Sequence, residues 1–134
     1  MHVTQLRQYV GQLLAQPVVK ELLIQRNITD TFTPYVNIIP SCGELYAAQT
    51  YGHGLIEVSS WLLVDAKETA SVLRHECAHV LHHMCGVHGP THGPQFVRAL
   101  QYISKNTWEK DRFWHPNDII EEARQKFHPK FRLV

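Results

Sequence analysis

The stretch from Asp65 to Gly86 constrains this chain more than any other. Asp65 with Glu68 three residues later reads as a helix N-terminal capping box, and Gly86 reads as the C-terminal stop. Between them Ala70, Leu73, Cys77, Leu81 and Met84 recur at helical spacing as one apolar stripe. The same helix carries His75, Glu76, His79, His82 and His83. A strongly specified helix whose polar side is crowded with imidazoles therefore anchors both the fold and the chemistry.

The flanks supply the rest of an α+β architecture. Val3, Leu6, Val10, Leu13 and Leu14 mark an amphipathic first helix. Pro17 interrupts, and "VVKELLIQRN" predicts a second short helix ending near Asn27. The chain then becomes rich in β-branched and aromatic residues, punctuated by Pro34, Pro40, Gly43, Gly52 and Gly54. Strands are expected near 35–39, 45–50 and 54–59, forming a small antiparallel sheet packed on the histidine-bearing helix. After it, Gly86, Gly89, Pro90, Gly93 and Pro94 mark an irregular loop. "PQFVRALQYISKN" is helical, with Pro94 at the favoured first position. "HPNDIIEEARQKF" predicts a last helix, and "HPKFRLV" a basic tail.

At 134 residues the chain fits one domain, 1–134, large enough to bury a core without staples. Its parts are N-terminal helices over 1–30, sheet and core over 31–104, and a C-terminal helix and tail over 105–134. No apolar run approaches the ~20 residues that cross a bilayer, and no signal-peptide pattern opens the chain. Cys42, Cys77 and Cys85 are an odd number without a CxxC pair, which argues against a disulfide framework or a zinc ribbon. An intracellular, reducing location is expected. The net charge of +1 supplies no global field for nucleic acid.

The ten histidines are the compositional oddity. His75 and His79 stand four apart, so both rings leave one face of the helix about one turn apart, which suits two imidazole ligands on one zinc. Glu76 projects about 100° round the helix. It can reach a water acidified by the metal without being a ligand, the HExxH arrangement. His82 lies about 10.5 Å of rise beyond His75, too far for the same coordination sphere. With His83 it is expected at a wet helix end, beside the dipole that favours cations. The third ligand comes from elsewhere, and His88, His92 and His115 compete for it. Cys77 is expected to pack as a small hydrophobe.

"HECAH" (75–79) followed by "HGPQF" (92–96) resembles the active-site signature of SprT-like (Spartan-type) zinc metalloproteases, in which HExxH is joined by a histidine from an HGxxF segment. "GLIEVSSWLL" resembles that family's glycine-led strand and turn, and "ETASVLRHECAHVLHH" its active-site helix. The resemblance spans roughly residues 41 to 100. It implies a zincin-like fold, zinc held by His75, His79 and His92, and Glu76 as general base in hydrolysis of peptide bonds of protein substrates. The "GLIEVSS" strand would then run along the cleft, with an extended substrate adding to its edge.

Tyr46, Tyr51, His53 and His88 are candidates for an oxyanion helper, and Glu57 for orienting a ligand histidine. The chain has no zinc-ribbon cysteines and none of the added DNA-binding elements of Spartan-type members. The basic, aromatic segment "RQKFHPKFR" (124–132) is a candidate DNA contact. Such contact would place the protein in the nucleoid or nucleus rather than in the cytoplasm at large. Trp108 and Trp114 read as packing anchors. No membrane partner is expected. The rival readings are a zinc-bound regulatory or binding module, possibly DNA-associated, and a metal-free structural protein.

Overall fold

The computed structural model describes residues 2–29, 33–40, 46–105 and 107. The predicted last helix, the basic segment, Trp108, Trp114 and His115 lie outside the described residues. In chain order the elements are α1 (Val3–Leu14), α2 (Pro17–Gln25), β1 (Tyr35–Ile39), β2 (Ala48–Tyr51), β3 (Leu55–Ser59), a 3-10 turn (Ser60–Val64), α3 (Ala66–Met84) and α4 (Pro94–Ile103). The architecture is α+β, with α3 between the sheet on one side and α4 and α1 on others.

Local chemistry accounts for the helices. The Asp65 carboxylate accepts the Glu68 backbone N–H at 3.0 Å, so α3 starts where the capping residues predict. It ends at Cys85, and Gly86 takes φ +90°, a conformation that costs a glycine little. Pro17 does more than interrupt: it occupies the first turn of α2, where a missing N–H is harmless. Leu6, Val10 and Leu13 of α1 are buried together, as their spacing predicts.

The sheet corrects the sequence reading in two ways. β1 and β3 fall where expected and β2 starts at Ala48 rather than near 45, but the order is β1-β3-β2, with β1 parallel to β3 and β2 antiparallel to it. The sheet is mixed, not antiparallel. Only the β2–β3 hairpin follows from local turn signals; β1 joins the far side of β3 through non-local pairing. The second correction follows from the order. β3, the "GLIEVSS" strand, is hydrogen-bonded on both edges and has no edge to offer a substrate. Among the described residues the edge strands are β1 and β2. At β1 the Arg7 guanidinium donates to the Val36 carbonyl at 3.1 Å and stacks on the Tyr35 ring at 4.5 Å. β2 is the edge strand that packs against α3.

Ile56 and Val58 of β3, Val36 of β1 and Ala48 of β2 turn inward to a core shared with Leu73, Cys77 and Leu81 of α3. Burial pushes the Cys77 thiol well above its ordinary range, so it packs there as a neutral side chain. α3 is enclosed far more than one stripe implies, since Val72 to Ala78 are all buried. Three of those seven are polar or charged: Arg74, His75 and Glu76. Arg74 donates to the Tyr9 hydroxyl at 2.9 Å. Among the described residues no helix is long and apolar enough to cross a membrane.

Candidate metal centre

His75 and His79 present their Nε2 atoms to each other at 3.0 Å, as one helical turn on a common face allows. After Gly86 the chain doubles back and brings the His92 Nε2 to 3.3 Å from that of His75. The ligand atoms of all three lie within 4.8 Å of one another. Zinc–nitrogen bonds of about 2.0–2.1 Å at tetrahedral angles set nitrogens about 3.3–3.4 Å apart, so this triangle is close to the right size. His75 is 1% exposed, and His79 and His92 are half-buried.

Two residues that flank His92 hold it there. Gly93 caps α4, and a Cβ on it would stand 2.9 Å from Pro90 Cδ and 3.2 Å from the Pro90 carbonyl oxygen. Only glycine lets the loop close this tightly. One turn into α4, the buried Phe96 ring packs against all three imidazoles, with centroids 4.9, 4.5 and 5.0 Å from those of His75, His79 and His92. The aromatic member of "HGPQF" thus serves as a common wall for the triangle. Sequence spacing alone assigns Phe96 no role.

Glu76 is fully buried beside the triangle. Its Oε2 accepts a 2.6 Å hydrogen bond from the Thr50 hydroxyl on β2, while Oε1 has no hydrogen-bond partner among the described residues. Burial pushes the carboxyl up from 4.5 to about 8, and the Thr50 hydrogen bond opposes that rise. A buried carboxylate oxygen left without a partner beside three converging imidazoles fits a polar species arriving between them. The donor set and the spacing therefore fit a zinc ion. Thr50 was invisible in the sequence, because β2 meets α3 only in the folded chain.

A cleft open to solvent is lined by Thr50, Glu76, His79, His83, Val87 and Thr91. The competing ligand candidates fall elsewhere. His88 is exposed, and its ring turns back over Gly86. His82 corrects the expectation of a wet helix end: it is 7% exposed, with Nε2 3.1 Å from the His88 carbonyl, because the returning loop covers it. His83 is exposed, as expected, and its Nδ1 lies 2.7 Å from that of His53.

The other candidates for a role in the chemistry also separate. The Tyr51 hydroxyl donates to Gln49, and the Tyr46 carbonyl accepts from Ser59; neither tyrosine lines the cleft. Glu57 pairs in register with Asn37 and Gln49, on the sheet face opposite the one from which Thr50 reaches Glu76. It stands on the wrong side to orient a ligand of the triangle.

A model of the SprT-like family matches residues 17–116. No curated protein and no solved structure matches the chain.

Proposed function

This chain belongs to the SprT-like family, and we propose that it is a zinc-dependent endopeptidase acting on protein substrates. The observation that carries the reading is the convergence of three imidazole nitrogens beside a buried carboxylate with one oxygen open. His75, His79 and His92 would hold the ion through Nε2, leaving room for a fourth position as catalytic zinc sites do. When bound, zinc supplies Lewis acidity and lowers the pKa of water toward neutrality.

The remaining work falls to the chain's own groups. Thr50 fixes Glu76 through Oε2, so Oε1 is the oxygen that takes the proton of the attacking water and returns it to the leaving amine. A cation in the triangle favours the ionised carboxylate against the desolvation that otherwise keeps it protonated. Phe96 and the loop before α4 keep the imidazoles in place and keep bulk water from their inner side. β2, the edge strand nearest Glu76, is the element along which an extended peptide would lie, its backbone pairing with the strand.

Zinc per chain, measured for wild type and His92→Ala, tests the ligand set. About one zinc in the wild type and loss in the variant are expected for a three-histidine site. Cleavage of a panel of denatured proteins by wild type and Glu76→Gln tests the chemistry. The variant should keep its zinc and lose cleavage. Full zinc in the wild type with no cleavage of any substrate favours the binding-module alternative instead.

A further inference from the structure

Outside the triangle, the described residues bring a second set of imidazole nitrogens together. His53, in the turn between β2 and β3, and His83, in the last turn of α3, set their Nδ1 atoms 2.7 Å apart with ring centroids at 4.8 Å. They are 30 residues apart in sequence. The turn lies on the His83 ring: a Cβ on Gly52 would be 3.4 Å from His83 Cε1. His83 also lines the cleft that passes Glu76 and His79.

We propose that His53 and His83 form a second transition-metal site at the rim of the cleft, weaker than the three-histidine site and separate from it. Two imidazoles on one first-row ion at about 2.0–2.1 Å hold their nitrogens about 2.9–3.4 Å apart, depending on the angle. The pair needs to open by only a few tenths of an ångström, and His83 is exposed while His53 is half-buried. No net proton loss is required. In the neutral pair one Nδ1–H faces the other Nδ1, and moving that proton to Nε2 of its own ring turns both Nδ1 lone pairs to the ion. Water completes the coordination. Imidazole ligands select zinc, copper or nickel over magnesium or calcium.

With two protein ligands against three, the pair fills after the triangle. An ion there joins the β2–β3 turn to the end of α3 across the mouth of the cleft. Excess metal should therefore stabilise the fold beyond what the first zinc gives. The site stands whether or not the protein cleaves peptides.

The test is equilibrium dialysis of the full chain against free Zn²⁺, for wild type, His53→Ala, His83→Ala, the double variant and His75→Ala. Wild type should take up about two zinc ions in two phases, since each set of imidazoles is a separate site. Each single rim variant should keep the tight phase and weaken the second on the order of tenfold or more. Retention of the tight phase shows that these variants still fold. His75→Ala should lose the tight phase and keep the weak one, which separates failure of the triangle from failure of the pair. A second zinc that persists in the double variant, or a wild type that stops at one, overturns the proposal.

Discussion

The histidines of α3 enter two arrangements that differ in how much of the fold stands behind them. His75 and His79 are backed by Phe96, by the tight Gly93 turn that delivers His92, and by the buried Glu76 that Thr50 holds. His83, one turn further along, reaches His53 across a turn and faces solvent. The first group is built into the core, whereas the second rests on it. Disturbing the core should damage the first and spare the second, which is a difference that mutation can break.

The largest effect is expected from Phe96→Ala. Removing a buried aromatic wall costs about 3–5 kcal/mol of stability and leaves a cavity under all three imidazoles. Zinc binding at the triangle should weaken with it, while the His53–His83 separation is unaffected. Phe96→Leu keeps much of the volume and should lose less of both. Urea unfolding and zinc titration of the two variants check this, and equal zinc affinity in wild type and Phe96→Ala would reduce Phe96 to ordinary core.

Next comes the pH dependence of the metal-free protein. The Glu76 carboxyl is raised to about 8 in the fold from an ordinary 4.5. Between those values the folded state holds more protons than the unfolded one, so stability falls as pH rises. The contribution is fully present below about 4.5 and is lost by the time pH has passed about 8. Glu76→Gln keeps the shape without the charge. Metal-free Glu76→Gln should match wild type near pH 4.5 and exceed it by a few kcal/mol near pH 8, since each pKa unit is worth about 1.4 kcal/mol. Zinc should shrink the gap, because a nearby cation favours the carboxylate. Urea midpoints across this range, with and without zinc, measure it.

These two effects also mark where the sequence was readable. α3 was legible because Asp65 and Gly86 act through their own neighbours. His75 and His79 were legible because four residues is one helical turn. His92 stood out by its resemblance to an HGxxF segment, where spacing alone left His88 and His115 in contention. What stayed hidden depends on which distant strand sits where. The order β1-β3-β2, the Thr50 bond to Glu76, the burial of His82 and the His53–His83 contact all arise between elements far apart in the chain. Phe96 shows an intermediate case: its helix was readable, but not that its ring would be buried against three imidazoles.

Thr50→Val sharpens the comparison at the next level, because it removes a hydroxyl and almost no volume. A hydrogen bond to a charged group is worth about 1.5–3 kcal/mol. If that bond positions the base, kcat/KM should fall on the order of tenfold, since each 1.36 kcal/mol is a factor of ten. Thr50→Ser should restore most of it. The effect belongs in kcat, with KM and zinc content near wild type. A loss carried entirely by KM would instead make Thr50 a peptide contact on β2.

The smallest difference separates two neighbours on one helix. His82 is buried and bonded to the His88 carbonyl, so His82→Ala removes packing and leaves that carbonyl without its donor, at a cost of about 1–3 kcal/mol. His83 is exposed, and its contact with His53 is at the surface, so His83→Ala should shift the metal-free protein by no more than about 0.5 kcal/mol. Thermal melts without metal give the first comparison. In excess zinc the order should reverse in one respect. His82→Ala should still gain stability from the second ion, and His83→Ala should not, because a site that binds only the folded state adds stability through its occupancy. Equal gains in both variants would show that the exposed pair binds nothing and serves only to fasten the turn to the helix.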